Sequence, residues 1–192
     1  MNWFTIGGNI KMKLTIKEMS AASLCAALTA VLSQISISVP LSPVPFTLQT
    51  FAVFLSAAVF GRKIGFLSQV VYIILGITGL PVFAGFESGP ATIIGPKGGY
   101  LISFPIIPLV TAFIMDRFAK KTVGSIFLSL LAGLIPCYVL GTLWLGIILK
   151  LSVLKAIIMG TGLFVVFDII KALAVSYISV KLQLLLSAGR FS

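Results

Sequence analysis

Charge is nearly absent from long stretches of this chain and gathers in the short gaps between them. That distribution limits the available folds more than any single motif does. The apolar segments run over roughly residues 16–34, 47–60, 64–78, 98–115, 123–147 and 156–180. A helix that crosses the hydrocarbon core of a bilayer needs about 20 such residues and must satisfy its peptide groups within itself. Composition agrees: 59% of the 192 residues are hydrophobic and 9% are charged, with a mean hydropathy of +1.18. A soluble domain carries about a quarter charged residues. The expected fold class is an all-α integral membrane protein, a six-helix transmembrane bundle forming a single domain over residues 1–192 in the cell membrane. Segments two and three are short, so they are expected to tilt, to extend into adjacent loops, or to span only in part.

The gaps set the orientation. Lys11, Lys13 and Lys17 precede the first segment, Arg62 and Lys63 join the second to the third, and Arg117, Lys120 and Lys121 join the fourth to the fifth, while Lys181 and Arg190 follow the sixth. Lys97, Lys150 and Lys155 fall on the opposite side. The positive-inside rule then predicts cytoplasmic N and C termini, with residues 1–15 as a cytoplasmic lead-in. It also puts the PLSPVP loop (Pro40–Pro45) and an extracellular loop at 79–97 together on the outer face. The net charge of +10 is accounted for by this pattern and not by nucleic-acid binding.

The stretch Gly79–Phe104 breaks the apolar run with glycines and prolines, so neither helix nor sheet is expected to pass through it uninterrupted. Apolar residues such as Val82, Phe83, Phe86 and Ile93 are interleaved with the breakers. That mixture suits a packed cap over a small-molecule pocket better than a solvated tether.

Asp168 stands half-way along the last apolar segment, where an ionised carboxylate costs on the order of 2.5–3.5 kcal/mol. Lys171, three residues on, shares its helix face. Two readings are open: a self-neutralising pair that pins the helix, or a site on a substrate path. Lys97 in GPKGG opens the fourth segment, whose first amides favour negative charge. Lys97 and Lys171 are suited to a carboxylate and Asp168 to an N–H donor, with Phe83, Phe86, Tyr100 and Phe104 covering an apolar body. Glu87 is either solvated or part of the gate, and Glu18 and Asp116 are expected to pair with surface cations. Thr47 and Gln49 either cap the second helix or face the pocket. In the first segment Ala22, Ala26 and Ala30 form a smooth ridge, open to packing within the bundle or to a partner's helix.

Several function classes are excluded. Histidine is absent, which removes His-dependent catalysis and His metal ligands. Cys25 and Cys137 lie in apolar segments and read as inert buried thiols. The chain has no nucleotide-cradling G-x-x-x-x-G-K-[ST] loop, so ATP energy must come from another subunit. No enzyme activity and no cofactor is expected.

In order along the chain, VPLSPVPFTLQTF from Val39, GRKIGFLSQVVYIILGITGLPVFAGF from Gly61, GPKGGYLISFP from Gly95 and DIIK at Asp168–Lys171 resemble the BioY family. Those proteins are the substrate-binding S components of energy-coupling factor transporters for biotin. The resemblance runs from about Ser20 to Lys181. It implies a bundle that captures biotin from outside and passes it inward by toppling, together with a transmembrane coupling subunit and two cytoplasmic ATPases. The ridge of Ala22, Ala26 and Ala30 is similar to the family's coupling-subunit contact. The family's D-x-x-K match falls on Asp168 and Lys171. GPKGGY stands where GPTGGY is more usual, which makes Lys97 the expected grip on the biotin carboxylate. The candidate ligand residues are thus Asp168, Lys171, Lys97, Tyr100, Phe83 and Gly85. The competing reading is a proton-coupled secondary transporter of a small carboxylate, with Asp168 as carrier.

Overall fold

The computed structural model describes residues 3–5 and 11–188; Arg190 and Met1 lie outside the described residues. Two short strands, β1 (Trp3–Thr5) and β2 (Lys11–Lys13), pair antiparallel ahead of the bundle. The helix α1 (Ile16–Gln34) starts from a capping box in which the Thr15 hydroxyl accepts from the Glu18 amide and the Glu18 carboxylate accepts from the Thr15 amide. This arrangement satisfies two of the donors that a helix start leaves open.

The PLSPVP loop, read above only as a breaker, is built as a β-hairpin of β3 (Ser36–Val39) and β4 (Ser42–Thr47), with an irregularity between Ile37 and Val39. Prolines at 43 and 45 are tolerated because this two-stranded ladder consists of edges only.

The next element, α2 (Gln49–Ile77), is two antiparallel helices in one span of helical residues. Gly61 interrupts it at φ 74° and ψ −166°, a conformation essentially confined to glycine. The Gln49 amide reaches the Tyr72 hydroxyl across this turn. In a continuous helix that sequence separation would hold the two residues roughly 35 Å apart at 1.5 Å per residue. The halves, 49–60 and 62–77, therefore correspond to the second and third apolar segments, so the five helices among the described residues that are long and apolar enough to cross a membrane hold all six segments. At about 18 and 24 Å by the same rise, both are short for a bilayer.

A short helix α3 (Pro90–Ile94) lies inside the long loop, a local helix where only breakers were expected. The fourth segment is α4 (Gly98–Ser103) followed, after Pro105, by α5 (Ile106–Met115). The helix α6 (Val123–Ile148) begins at a Thr122–Ser125 capping box and runs through Pro136. The last segment comprises α7 (Val153–Ile157), a π-helical turn at Ile158–Gly162, and α8 (Val165–Ala188). The core lies among α1, both halves of α2, α4, α5, α6 and α8, and includes Val53, Phe54, Tyr72, Leu130 and Val175.

Ion pairs mark one end of the bundle. Arg62 meets Asp116 at 2.9 Å and Lys63 meets Glu18 at 2.8 Å, the surface pairing expected of both acids. The Gln183 amide donates to the Ala58 carbonyl at 2.7 Å, which brings the C-terminal part of α8 to this same end. At the other end, the Trp144 indole donates to the Gly95 carbonyl at 2.9 Å and ties α6 to the long loop.

The alanine ridge of α1 faces inward. Ala22 and Ala26 are 5% and 2% exposed, and Ala26 sits in the core cluster with Ala30 packed against it. Small side chains let α1 and its neighbours approach closely, and in this chain the ridge packs within the bundle.

Candidate functional site

Beneath the β3–β4 hairpin and the long loop lies a cavity of about 70 Å³, counted as space open to the centre of a water molecule. Most of its wall is apolar: Val44 and Pro45 from β4, Phe83 and Ala84 from the loop, Tyr100, Leu101 and Phe104 from α4 and its end, and Phe164 before α8. The hairpin is held in place by Phe46, whose ring stacks at a tilt on Phe164 and Phe167 with centroids 4.7 and 4.6 Å away.

Asp168 supplies the polar floor. It lies in the first turn of α8, its amide bonded to the Phe164 carbonyl, and is 4% exposed. One carboxylate oxygen, Oδ1, accepts from the Thr50 hydroxyl at 2.7 Å and from Lys171 Nζ at 2.9 Å. The other, Oδ2, accepts from the Tyr138 hydroxyl at 2.7 Å. Lys171 spends its remaining donors on the Thr47 carbonyl at 2.6 Å and on Thr50 Oγ1 at 2.9 Å. An ammonium has three donors, so Lys171 is fully committed; a carboxylate oxygen accepts two bonds, so Oδ2 keeps room for one more donor. The pair is neutral as a unit and both charges are hydrogen-bonded, the condition under which two charges can stay buried.

The predicted residues divide between this cavity and its mouth. Asp168, Lys171, Lys97, Tyr100, Phe83 and Phe104 line the cavity. Tyr100 is steered by a bond from its hydroxyl to the Gly160 carbonyl at 2.7 Å, inside the π-helical turn. Phe83 packs over Gly76, where an added Cβ would sit 2.0 Å from the ring. Gly85 (φ +77°) does not reach the cavity; it lines a second, more polar pocket of about 280 Å³ with Ser36, Ser38, Ser42, Glu87 and Lys97. Phe86 is 70% exposed and covers no part of the cavity, because its backbone turns outward at φ 59° while its amide donates to Gln34. Thr47 and Gln49 both line the cavity, and the Thr47 hydroxyl also accepts from the Gln49 amide at 3.3 Å where α2 begins, next to an N-cap residue, Leu48, that has no side-chain bond of its own.

Lys97 differs from its expectation in one respect. Its ammonium is already engaged by Glu87 Oε1 at 2.6 Å. The helix it precedes, α4, is only six residues long, so no long-helix amide cluster stands behind it.

Sequence reasoning missed Thr50 and Tyr138. Both carried a signal: Thr50 stands one turn into the segment after Thr47, and Tyr138 puts a hydroxyl in the middle of an apolar span, where it needs a partner. The loop itself is fastened to the bundle by backbone groups. The Ser33 hydroxyl donates to the Val82 carbonyl at 2.6 Å, the Tyr72 hydroxyl to the same carbonyl at 3.1 Å, and the Gln34 amide to the Phe83 carbonyl at 3.0 Å.

A bundle of apolar spans enclosing a capped cavity, with one acceptor fixed at its floor and a cation at its mouth, defines a multi-pass membrane protein built to hold a small solute. The model of the BioY family matches residues 9–188, and the chain belongs to that family. It is 44% identical over 167 residues to the probable biotin transporter BioY of Pyrococcus horikoshii, covering 87% of this chain and 96% of that one. Over 147 residues it is 42% identical to the biotin transporter BioY of Thermotoga maritima, covering 77% and 85%. Its fold is similar to the crystal structure of the S-component for biotin from an ECF-type ABC transporter, with a TM-score of 0.80, 26% identity, and coverage of 89% of this chain and 95% of that one.

Proposed function

We propose that this chain is the substrate-capture subunit of an ATP-driven vitamin importer that binds biotin from outside the cell. One observation carries the reading: a buried carboxylate, Asp168, held by three side chains at the floor of an apolar cavity, with an acceptor position on Oδ2 still open. Biotin offers a ureido group with two N–H donors, an apolar thioether ring and chain, and a carboxylate. A ureido N–H suits Asp168 Oδ2, the ring suits the aromatic wall of Phe83, Tyr100 and Phe104, and the carboxylate suits Lys97 at the mouth. Lys171 orients and neutralises Asp168 and leaves the ligand carboxylate to Lys97, since all three of its donors are in use.

The end with Arg62, Lys63, Arg117, Lys120 and Lys121 is cytoplasmic in this reading, with both termini, and the hairpin and loop 79–97 face outward. The sequence contains no G-x-x-x-x-G-K-[ST] loop, and in this reading energy comes from two ATPases through a transmembrane coupling subunit. In this reading that subunit meets α1 along the small-residue ridge of Ala22, Ala26 and Ala30, beside the exposed flank at Ser23, Ala27 and Val31.

Calorimetric titration of the detergent-solubilised chain tests the ligand, with thiamine and riboflavin as controls. Biotin binds without ATP and the controls do not. Asp168→Asn retains the helical content by circular dichroism and weakens biotin binding about ten- to a hundredfold, the range for losing a hydrogen bond to a charged group. Unchanged affinity removes Asp168 from the site. Uptake by vesicles containing this chain alone, driven by a pH gradient, would favour a proton-coupled carrier instead.

A further inference from the structure

Lys97 stands between two spaces, lining the inner cavity with Asp168 and the outer polar pocket with Glu87, Ser36 and Ser42. Its side chain is 22% exposed, and Glu87, which holds it at 2.6 Å, is 44% exposed. The Glu87 backbone is pinned independently of that contact: its carbonyl accepts from the Phe83 amide at 3.1 Å across a turn in which Gly85 and Phe86 both take positive φ. The carboxylate therefore hangs from a fixed point into a partly wet pocket. It can rotate off Lys97 into water without the loop moving, and a part-exposed ion pair is cheap to give up.

From this geometry we infer that Glu87 is an internal stand-in for the ligand's carboxylate. It occupies Lys97 while the site is empty, and the incoming carboxylate takes its place, so that Lys97 exchanges one anion for another and Glu87 turns to the outer pocket. No bare ammonium is left at the mouth at any stage. A neutral analogue of the same shape has no charge with which to displace Glu87, which makes the Glu87–Lys97 pair the element that discriminates an acid from its amide. The inference rests on the proposed function, in that it takes the ligand to be a carboxylate-bearing solute seated on Asp168.

The test is calorimetric titration of the purified chain with biotin and with its primary amide, on the wild type, Glu87→Gln, Lys97→Gln and the double variant. Wild type prefers the acid. Glu87→Gln tightens acid binding about two- to fivefold, the scale of one part-exposed ion pair, and leaves the amide unchanged. Lys97→Gln brings the affinities for acid and amide together, and in that background Glu87→Gln has no further effect. Weakened or unchanged acid binding in Glu87→Gln overturns the stand-in role. Should that variant loosen the loop, seen as a lower unfolding temperature, the acid-to-amide ratios of wild type and Lys97→Gln decide alone: equal ratios overturn it. A wild type that binds neither compound refutes the biotin reading, and this inference with it. A wild type that binds both equally refutes only the role of Lys97 and Glu87.

Discussion

At the scale of single residues, the acid and base of D-x-x-K do different work. Asp168 has an acceptor position to offer, whereas Lys171 has every donor in use, one of them on the Thr47 carbonyl at the junction of β4 and α2. Lys171→Ala is accordingly a stability variant before it is a binding variant. It leaves a buried carboxylate without its cation, a change that costs about 3–5 kcal/mol when one partner of a buried pair is removed. Thermal unfolding in detergent should show a large drop for Lys171→Ala. Tyr138→Phe removes one neutral donor to Asp168 and should cost about 1.5–3 kcal/mol, with the loss falling on ligand affinity as well. Equal, small effects in both would mean that the ion pair is not the foundation of the site.

At the scale of elements, two glycines separate folding from binding. Gly61 has open space where a Cβ would go, so Gly61→Ala meets no clash and suffers only from its backbone conformation. That cost is about 1–3 kcal/mol, read as a lower unfolding temperature with biotin affinity retained in the folded fraction. Gly76 is the converse case. It has ordinary helical backbone, but an added Cβ would lie 2.0 Å from Phe83 and push that ring off the cavity wall. Gly76→Ala should weaken biotin binding by titration more than it lowers the unfolding temperature, and the reverse order would place Phe83 outside the site. Six apolar segments were legible from hydropathy, because apolar character is a property of each stretch by itself. The hairpin β3–β4 was not, since Pro43 and Pro45 argue against a strand until a partner strand and the Phe46 stack on α8 are present. Nor was the outward turn of Phe86, whose aromatic side chain reads as a cover until its backbone is known.

For the whole molecule, the basic end and the capped end lie at opposite ends of the bundle. Lys63 and Arg62 are tied to Glu18 and Asp116 at one, while Glu87, Lys97 and Trp144 gather at the other. A single cysteine introduced at Ser88, in a background where Cys25 and Cys137 are replaced, should react with an impermeant thiol reagent added outside intact cells. One introduced at Lys120 should react only after the membrane is opened. The opposite result would invert the bundle and put the cavity mouth in the cytoplasm.

What the sequence determined unaided was the membrane class, the places where the chain can turn, and the presence of an aspartate too costly to bury in lipid without purpose, because hydropathy, breaker residues and ionisation energy are all local quantities. Tertiary structure alone decided that Ala22 and Ala26 on α1 are buried, that Thr50 and Tyr138 complete the floor, and that Lys171 has its donors in use while Lys97 is paired with Glu87. Those outcomes depend on which donors and acceptors meet across segments far apart in the chain, and no residue carries that information by itself.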